Sequence, residues 1–533
     1  MLNLNNLYGP TRSPLLAQRG IVATSHPLAV QAGIEMLRRG GNAVDAAIAT
    51  AITLTVVEPT SNGIGSDAFA LVWDGEKLYG LNGSGRAPRA LTLEAVTAFG
   101  HETMPTRGWL PVTVPGAPAA WRDLHRRFGK LRFAELFELA IFYAEHGHPV
   151  TPIVAQYWSY AAQAYAQLTS PEFAGWHKTF TLKGRAPQAG EIWASPDHAR
   201  TLRRLAQSYC DDFYQGELAQ QIVRFAQETG GLLSESDLAA HMSTWVEPIK
   251  TSYREYDVWE IPPNGQGLVA LIGLNILENF ELAQYPRDSA ESFHLQIEAL
   301  KLAFADGLRY IADPELVPVP TEKLLSKAYA QERRALITDR ALDPVAGDPY
   351  AGGTVYLCTA DAEGMMVSFI QSNYMGFGSG IVVPGTGIAL QNRGACFSLD
   401  PQHPNCLAPG KRPYHTIIPG FLTKDGKAVG PFGVMGGFMQ PQGHIQVIVN
   451  TVDYQMNPQA SLDAPRWQWL KAKEIEIESD ADPKIIEGLR AMGHDVKIAE
   501  PGGRFGRGQI IWKLPSGAYI AGSDKRADGY AAG

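Results

Sequence analysis

Apolar residues recur along this chain at two spacings, and the switching between them sets the expected architecture. Ile21 to His26 reads as a short strand, and Val30, Ile34 and Leu37 form one face of a helix from Leu28 to Arg39 that stops at Gly40-Gly41. Asn42 is placed to cap a second helix, Ala43 to Val57, whose Ala, Ile, Thr, Leu and Val content all round predicts complete burial. A loop from Glu58 to Gly65 leads into a hairpin, Ala68 to Trp73 and Lys77 to Leu81, turning at Asp74-Gly75. Helical spacing then dominates: Trp121 to Phe128, Phe133 to His146, His198 to Ser208, Leu218 to Thr229 and Glu235 to His241. Tyr256 to Glu260 reads as a strand, followed after a Pro/Gly cluster by helices Leu268 to Phe280 and Ser289 to Ala312, the latter stopped by Pro314. Charge rises across a helical linker from Thr321 to Pro349.

Beyond it, strands are expected at Thr354 to Thr359, Met365 to Ser372 and Ile381 to Asn392, and a Pro-rich loop at Ser398 to Pro413. A hairpin, Ile417 to Leu422 and Lys427 to Val434, turns at Asp425-Gly426. A helix from Gln442 to Thr451 follows Gly436-Gly437, and strands at Gln509 to Leu514 and Tyr519 to Ala521 close the chain. Strands followed by helices in both halves predict stacked sheet and helix layers. Residues 1–18 read as an irregular arm.

At 45% hydrophobic and 19% charged over 533 residues, the chain can bury a large core. A net charge of −8, with dispersed basic residues, argues against nucleic acid or an anionic membrane as partner. Cys210, Cys358, Cys396 and Cys406 are too few for a disulfide scaffold and lack metal spacing. The N-terminus lacks a signal-peptide pattern and the longest apolar run is too short to span a bilayer, so a cytoplasmic location is expected. His26, His294, His415 and His444 are not at paired ligand spacing, and no metal is expected. Gly376-Phe377-Gly378-Ser379-Gly380 lacks the Lys-Ser/Thr ending of a phosphate loop and reads as a tight turn.

One stretch carries candidate chemistry. Gly352-Gly353-Thr354-Val355-Tyr356 brings two glycines to a threonine that opens a strand. A threonine hydroxyl needs an adjacent base to act as a nucleophile, and its own α-amine can serve if the bond to Gly353 is cut. Glycines before the cut would accept the strained geometry of an N-to-O acyl shift.

Several stretches, in order, resemble the gamma-glutamyltransferase family of N-terminal-nucleophile hydrolases: Val22-Ala23-Thr24-Ser25-His26-Pro27, Gly40 to Ala47 (GGNAVDAA), Val57-Glu58-Pro59 with Gly63-Ile64-Gly65, Val114-Pro115-Gly116, Lys301 to Asp306, Lys411-Arg412-Pro413, Gly436-Gly437 and Ala464-Pro465-Arg466. The resemblance implies an α+β fold, a four-layer αββα sandwich with a helix-rich section in the large-subunit part. It implies self-cleavage between Gly353 and Thr354 into residues 1–353 and 354–533, which together form one unit, a heterodimer of the cleavage products, with a dimer of these as a further option. Thr354 would be nucleophile and, through its α-amine, base, with the backbone amides of Gly436 and Gly437 as the oxyanion hole. No cofactor is implied.

The pocket positions depart from the family's pattern. The arginine slot for the glutamyl α-carboxylate falls at Ser84, with Arg86 the nearest arginine. The aspartate for the α-amine falls at Cys396, the paired serines at His415 and Thr416, and the asparagine near the nucleophile at Tyr374, one place from Asn373. Arg393 joins this set of expected substrate contacts. The resemblance implies cleavage of gamma-glutamyl amides such as glutathione. The altered pocket raises the alternative of an amidase or acylase for another acyl group, as in the related cephalosporin acylases, and an unprocessed homologue with a binding role is the reading from outside enzymology.

Overall fold

The structure, a computed structural model, describes residues 12–344, 353–499 and 503–533. Two antiparallel sheets of seven strands each form its centre. The first runs Tyr530–Ala532, Gly20–Thr24, Gly353–Asp361, Met366–Tyr374, Asp67–Trp73, Leu78–Asn82, Thr244–Val246. The second runs Leu15–Ala17, Tyr519–Ser523, Arg507–Lys513, Lys427–Met435, Gly420–Lys424, Tyr256–Glu260, Ile249–Tyr253. Residues from both sides of Gly353 contribute strands to both sheets.

Strand periodicity builds the layers. In Asp67–Trp73 the residues Phe69, Leu71 and Trp73 enter the cluster between the sheets, while Ala68, Ala70 and Val72 pack under the outer helices. Tyr356, Cys358 and Ala360 likewise face the second sheet, and Val355 and Leu357 face the helices. From the other sheet, Phe421, Met435 and Ile511 meet them, while Leu422, Phe432, Val434 and Ile510 turn to the opposite helix layer. The helix Ala43–Val57 is buried at every position, as its composition requires, and Asn42 caps it: the side chain accepts from Val44 and Asp45, and Asp45 accepts back from Asn42. Helices Gly267–Leu277, Ala290–Tyr310 and Met439–Val452 cover the second sheet. The four-layer αββα sandwich is therefore present.

The differences from the sequence reading are local. Ile381 to Asn392 is not a strand. Pro384-Gly385-Thr386-Gly387 folds it back, with φ of +74° and +72° at the two glycines, leaving only the bridge Val382↔Ala389 and a contact of Leu390 with Gly65. Its apolar residues are there because the loop is buried beneath helices. Phe133 to His146 divides into a 3₁₀ turn, Phe133–Phe137, and the helix Glu138–His146. The helix Pro152–Tyr165 and a three-stranded sheet, Trp467–Lys471, Glu474–Glu478 and Asp495–Ala499, were not anticipated individually. Within the arm, Leu15–Ala17 is an edge strand; residues 1–11, Gly352 and the end of the linker at 345–349 lie outside the described residues.

Candidate active site

Thr354 shares the face of Tyr356 and Cys358, so the strand's alternation aims it between the sheets, where it is fully buried. The register is irregular between Gly353 and Val355. Thr354 Oγ1 lies 2.9 Å from Ser372 Oγ on the neighbouring strand. Just beyond, Tyr374 has φ of +75°, a costly conformation for a non-glycine residue, and its N–H thereby donates to Ser372 Oγ at 2.8 Å.

Arg393 completes this group. Its guanidinium donates to Ser372 Oγ at 3.2 Å and to Thr416 Oγ1 at 2.6 Å, and stacks over the Tyr374 ring at 4.7 Å. Adding 3.2 Å to the 2.9 Å contact bounds its separation from Thr354 Oγ1 at about 6 Å. The side chain is completely buried, no carboxylate lies within salt-bridge distance among the described residues, and Nε has no hydrogen-bond partner there. A buried cation so placed is costly unless something anionic arrives. Cys396, beside Arg393 and Tyr374, has its thiol pushed up by burial, against the opposing pull of Arg393; it supplies no counter-charge at neutral pH.

His415 precedes Thr416 and donates from Nε2 to Asp67 at 3.0 Å. Burial, with Arg393 and Arg412 nearby, holds its pKa well below the usual value, so the ring is neutral. The Nε2–H tautomer follows from its two neighbours, the Asp67 carboxylate and the Ile417 N–H at Nδ1. Asp67 also accepts from the Gly85 and Gly116 amides and from Gln391. Burial pushes its carboxyl up to about 7, opposed chiefly by Arg393.

Gly436 and Gly437 lie between the strand Lys427–Met435 and the helix Met439–Val452, with φ of +135° and +61°. Side chains rarely adopt these values, which turn the backbone amides and set a helix N-terminus behind them. The strand before them meets the strand Gly353–Asp361 at Gly433, where any Cβ would fall 2.5 Å from the Tyr356 ring. Gln266 ties this turn to the rest: its Nε2 donates to Gly437 O at 2.9 Å and to Thr416 O at 2.6 Å.

Thus Tyr374, Arg393, Cys396 and Thr416 gather around Thr354 and Ser372, with His415 behind Thr416. Asn373 faces the other side of its strand, accepting from Ser66 Oγ at 2.8 Å. Arg86 is elsewhere: Asp313, Glu315 and the Gly410 carbonyl take up its guanidinium at 3.2, 2.8 and 3.1 Å. Ser372, Asp67 and Gln266 were not singled out from the sequence. Ser372 had a faint signal, a polar residue on the inward face of an apolar strand; Gln266 had only its place in a glycine cluster.

An antiparallel double sheet between helix layers, with a threonine opening a central strand, is the N-terminal-nucleophile hydrolase fold. The gamma-glutamyltranspeptidase family model matches residues 29–533, and the chain belongs to that family. It is 36% identical to the glutathione hydrolase-like YwrD proenzyme of Bacillus subtilis and 35% identical to the oxamate amidohydrolase proenzyme of Klebsiella pneumoniae, each over 97% of this chain and 99% of the relative. The crystal structure of cephalosporin acylase from Bacillus halodurans superposes with a TM-score of 0.95 at 56% identity, covering 99% of this chain and 98% of the other. Among the described residues no helix is long and apolar enough to cross a membrane.

Proposed function

We propose that this chain is a self-processing amidohydrolase whose acyl substrate carries a terminal carboxylate and no α-ammonium. Cleavage before Thr354 would leave residues 1–353 and 354–533 interleaved as a heterodimer, as the shared sheets require, and free the α-amine as base. Thr354 Oγ then attacks the amide carbonyl, and the α-amine takes the hydroxyl proton and passes it to the departing amine. The oxyanion rests on the amides of Gly436 and Gly437, and water releases the acyl group from the ester.

The observation that carries the substrate reading is Arg393, a buried guanidinium within about 6 Å of the nucleophile with no carboxylate partner among the described residues. An acyl carboxylate would supply a counter-charge in direct contact, where Asp67 acts only from beyond salt-bridge distance, with the planar fork giving directional recognition. A glutamyl α-ammonium, by contrast, would meet a cation and the neutral thiol of Cys396. The relative named for oxamate and a cephalosporin acylase as structural neighbour agree with a carboxylate-bearing acyl group or a non-glutamyl amide. The gamma-glutamyl reading keeps support from the glutathione hydrolase-like relative. Intact-mass and N-terminal analysis of purified protein, followed by kinetics on glutaryl and gamma-glutamyl p-nitroanilides, tests the proposal. Two chains with Thr354 at the new N-terminus and a higher kcat/KM for glutaryl are expected; a marked gamma-glutamyl preference would overturn the substrate reading.

A further inference from the structure

Gln266 occupies an unusual position for a buried amide. It stands at the N-cap of the helix Gly267–Leu277, yet its side chain makes no capping bond to that helix. Instead, the carboxamide is fully used elsewhere. Nε2 donates to the carbonyls of Thr416 and Gly437, at 2.6 and 2.9 Å, and Oε1 accepts from the Tyr414 hydroxyl at 2.9 Å. The three partners come from two separate segments, the loop before the strand Gly420–Lys424 and the turn before the helix Met439–Val452.

The backbone holds Gln266 to one of these segments independently. His415 N donates to Asn264 O and Gln266 N to His415 O, both at 2.9 Å, and Asn264 Nδ2 donates to Pro413 O at 2.9 Å. Residues 264–266 are thus zipped alongside 413–416, and the Gln266 side chain reaches from that zipper to Gly437. The reach needs small neighbours: a Cβ at residue 267 would fall 2.7 Å from Glu260 Cβ and 2.8 Å from Ile261 O, so only glycine lets this turn sit down.

We propose that Gln266 is a positioning residue that couples the acyl end of the site to the oxyanion end. One carboxamide fixes Thr416, whose hydroxyl accepts from Arg393, and the same carboxamide fixes Gly437, whose amide faces the reacting carbonyl. A carboxylate drawn to Arg393 therefore sets its scissile carbonyl against donors held in register by the same side chain. This rests on the reading of Arg393 and of Gly436-Gly437 given above. A side chain that only filled space would show no such two-ended effect.

Gln266→Met keeps the volume and removes both donors; Gln266→Asn keeps the amide but is one methylene too short to reach both carbonyls. Mature protein is titrated for Thr354 N-termini, and kcat and KM are measured per active site on glutaryl p-nitroanilide and on neutral pentanoyl p-nitroanilide, in wild-type and Arg393→Met backgrounds. Misplacing an oxyanion donor is expected to lower kcat at least about tenfold on both substrates, below the ~10²–10³ for losing one outright. KM is expected to rise about threefold or more for glutaryl alone, and that rise should vanish in Arg393→Met, the coupling signature of residues acting as a unit. A kcat per active site within about twofold of wild type in both variants overturns the proposal, as does a KM change equal on both substrates and additive with Arg393→Met. Wild-type protein with no preference for glutaryl over pentanoyl overturns the carboxylate reading and this coupling with it. A wild-type preference left intact by both Gln266 variants overturns the coupling alone.

Discussion

Replacing Arg393 by Met tests the central feature of the site. The guanidinium has five N–H donors; two go to Thr416 Oγ1 and Ser372 Oγ, and Nε has no partner among the described residues. The free Nε, and the donor now turned to the neutral Cys396 thiol, are what a substrate carboxylate would use. Hydrogen bonds to charged groups contribute roughly 1.5–3 kcal/mol each, so losing one or two should reduce kcat/KM for a carboxylate-bearing acyl group about 10²-fold. Ser372 keeps its bond from Tyr374 N–H at 2.8 Å, so the contact with Thr354 should survive. Met removes the desolvation cost of a buried cation but also its attraction to the Asp67 carboxylate, so folding of the variant is checked by circular dichroism. The assay is the ratio of kcat/KM for glutaryl over pentanoyl p-nitroanilide. It should fall about 10²-fold in Arg393→Met, with the pentanoyl value nearly unchanged, and Arg393→Lys, which keeps the charge but not the fork, should lie between. An unchanged ratio would refute the argument, because the cation would then be structural.

Thr354→Ala should remain one chain of 58.0 kDa on a denaturing gel while wild-type protein separates into two, and cleavage persisting in the variant would sink the nucleophile assignment. Cys396→Asp would place a carboxylate beside Arg393, so the glutaryl-over-pentanoyl ratio should fall and the gamma-glutamyl-over-glutaryl ratio rise; no movement in either would show that this position does not face the acyl group. Gly433→Ala would drive a Cβ to 2.5 Å from the Tyr356 ring, and overpacking of this kind costs about 1–3 kcal/mol, read as a lower urea midpoint. His198 is held at a pKa of about 4 by burial, below its unfolded value of 6.5. Its neutral form is favoured in the fold, so the stability it contributes is complete above pH 6.5 and is lost as pH falls toward 4. That loss runs at about 1.4 kcal/mol per pH unit. The stability of wild type relative to His198→Gln should therefore drop by about 2 kcal/mol between pH 7 and 5; a pH-independent difference would contradict it.

The sequence by itself determined the elements and their layers, because those depend on local periodicity. The helix Ala43–Val57, almost wholly Ala, Ile, Thr, Leu and Val, states its own burial before any partner is known. Thr354 and Gly436-Gly437 were marked by the family resemblance rather than by local pattern, because a strand-opening threonine or a glycine pair before a helix also occurs in ordinary turns. Tertiary structure decided the pocket. Arg86 was the arginine nearest in sequence to the family's slot, yet Asp313 and Glu315 are brought to it from over two hundred residues away and occupy it. Arg393 becomes the cation beside Thr354 only because the hairpin carrying Thr354 and Ser372 and the loop holding Thr416 converge on it. Gln266 acquires a role only when residues 264–266 lie beside 413–416. The buried loop Ile381 to Asn392 shows the same limit from the other side: an apolar run reports burial, and whether it is buried as a strand or as a turn depends on what covers it.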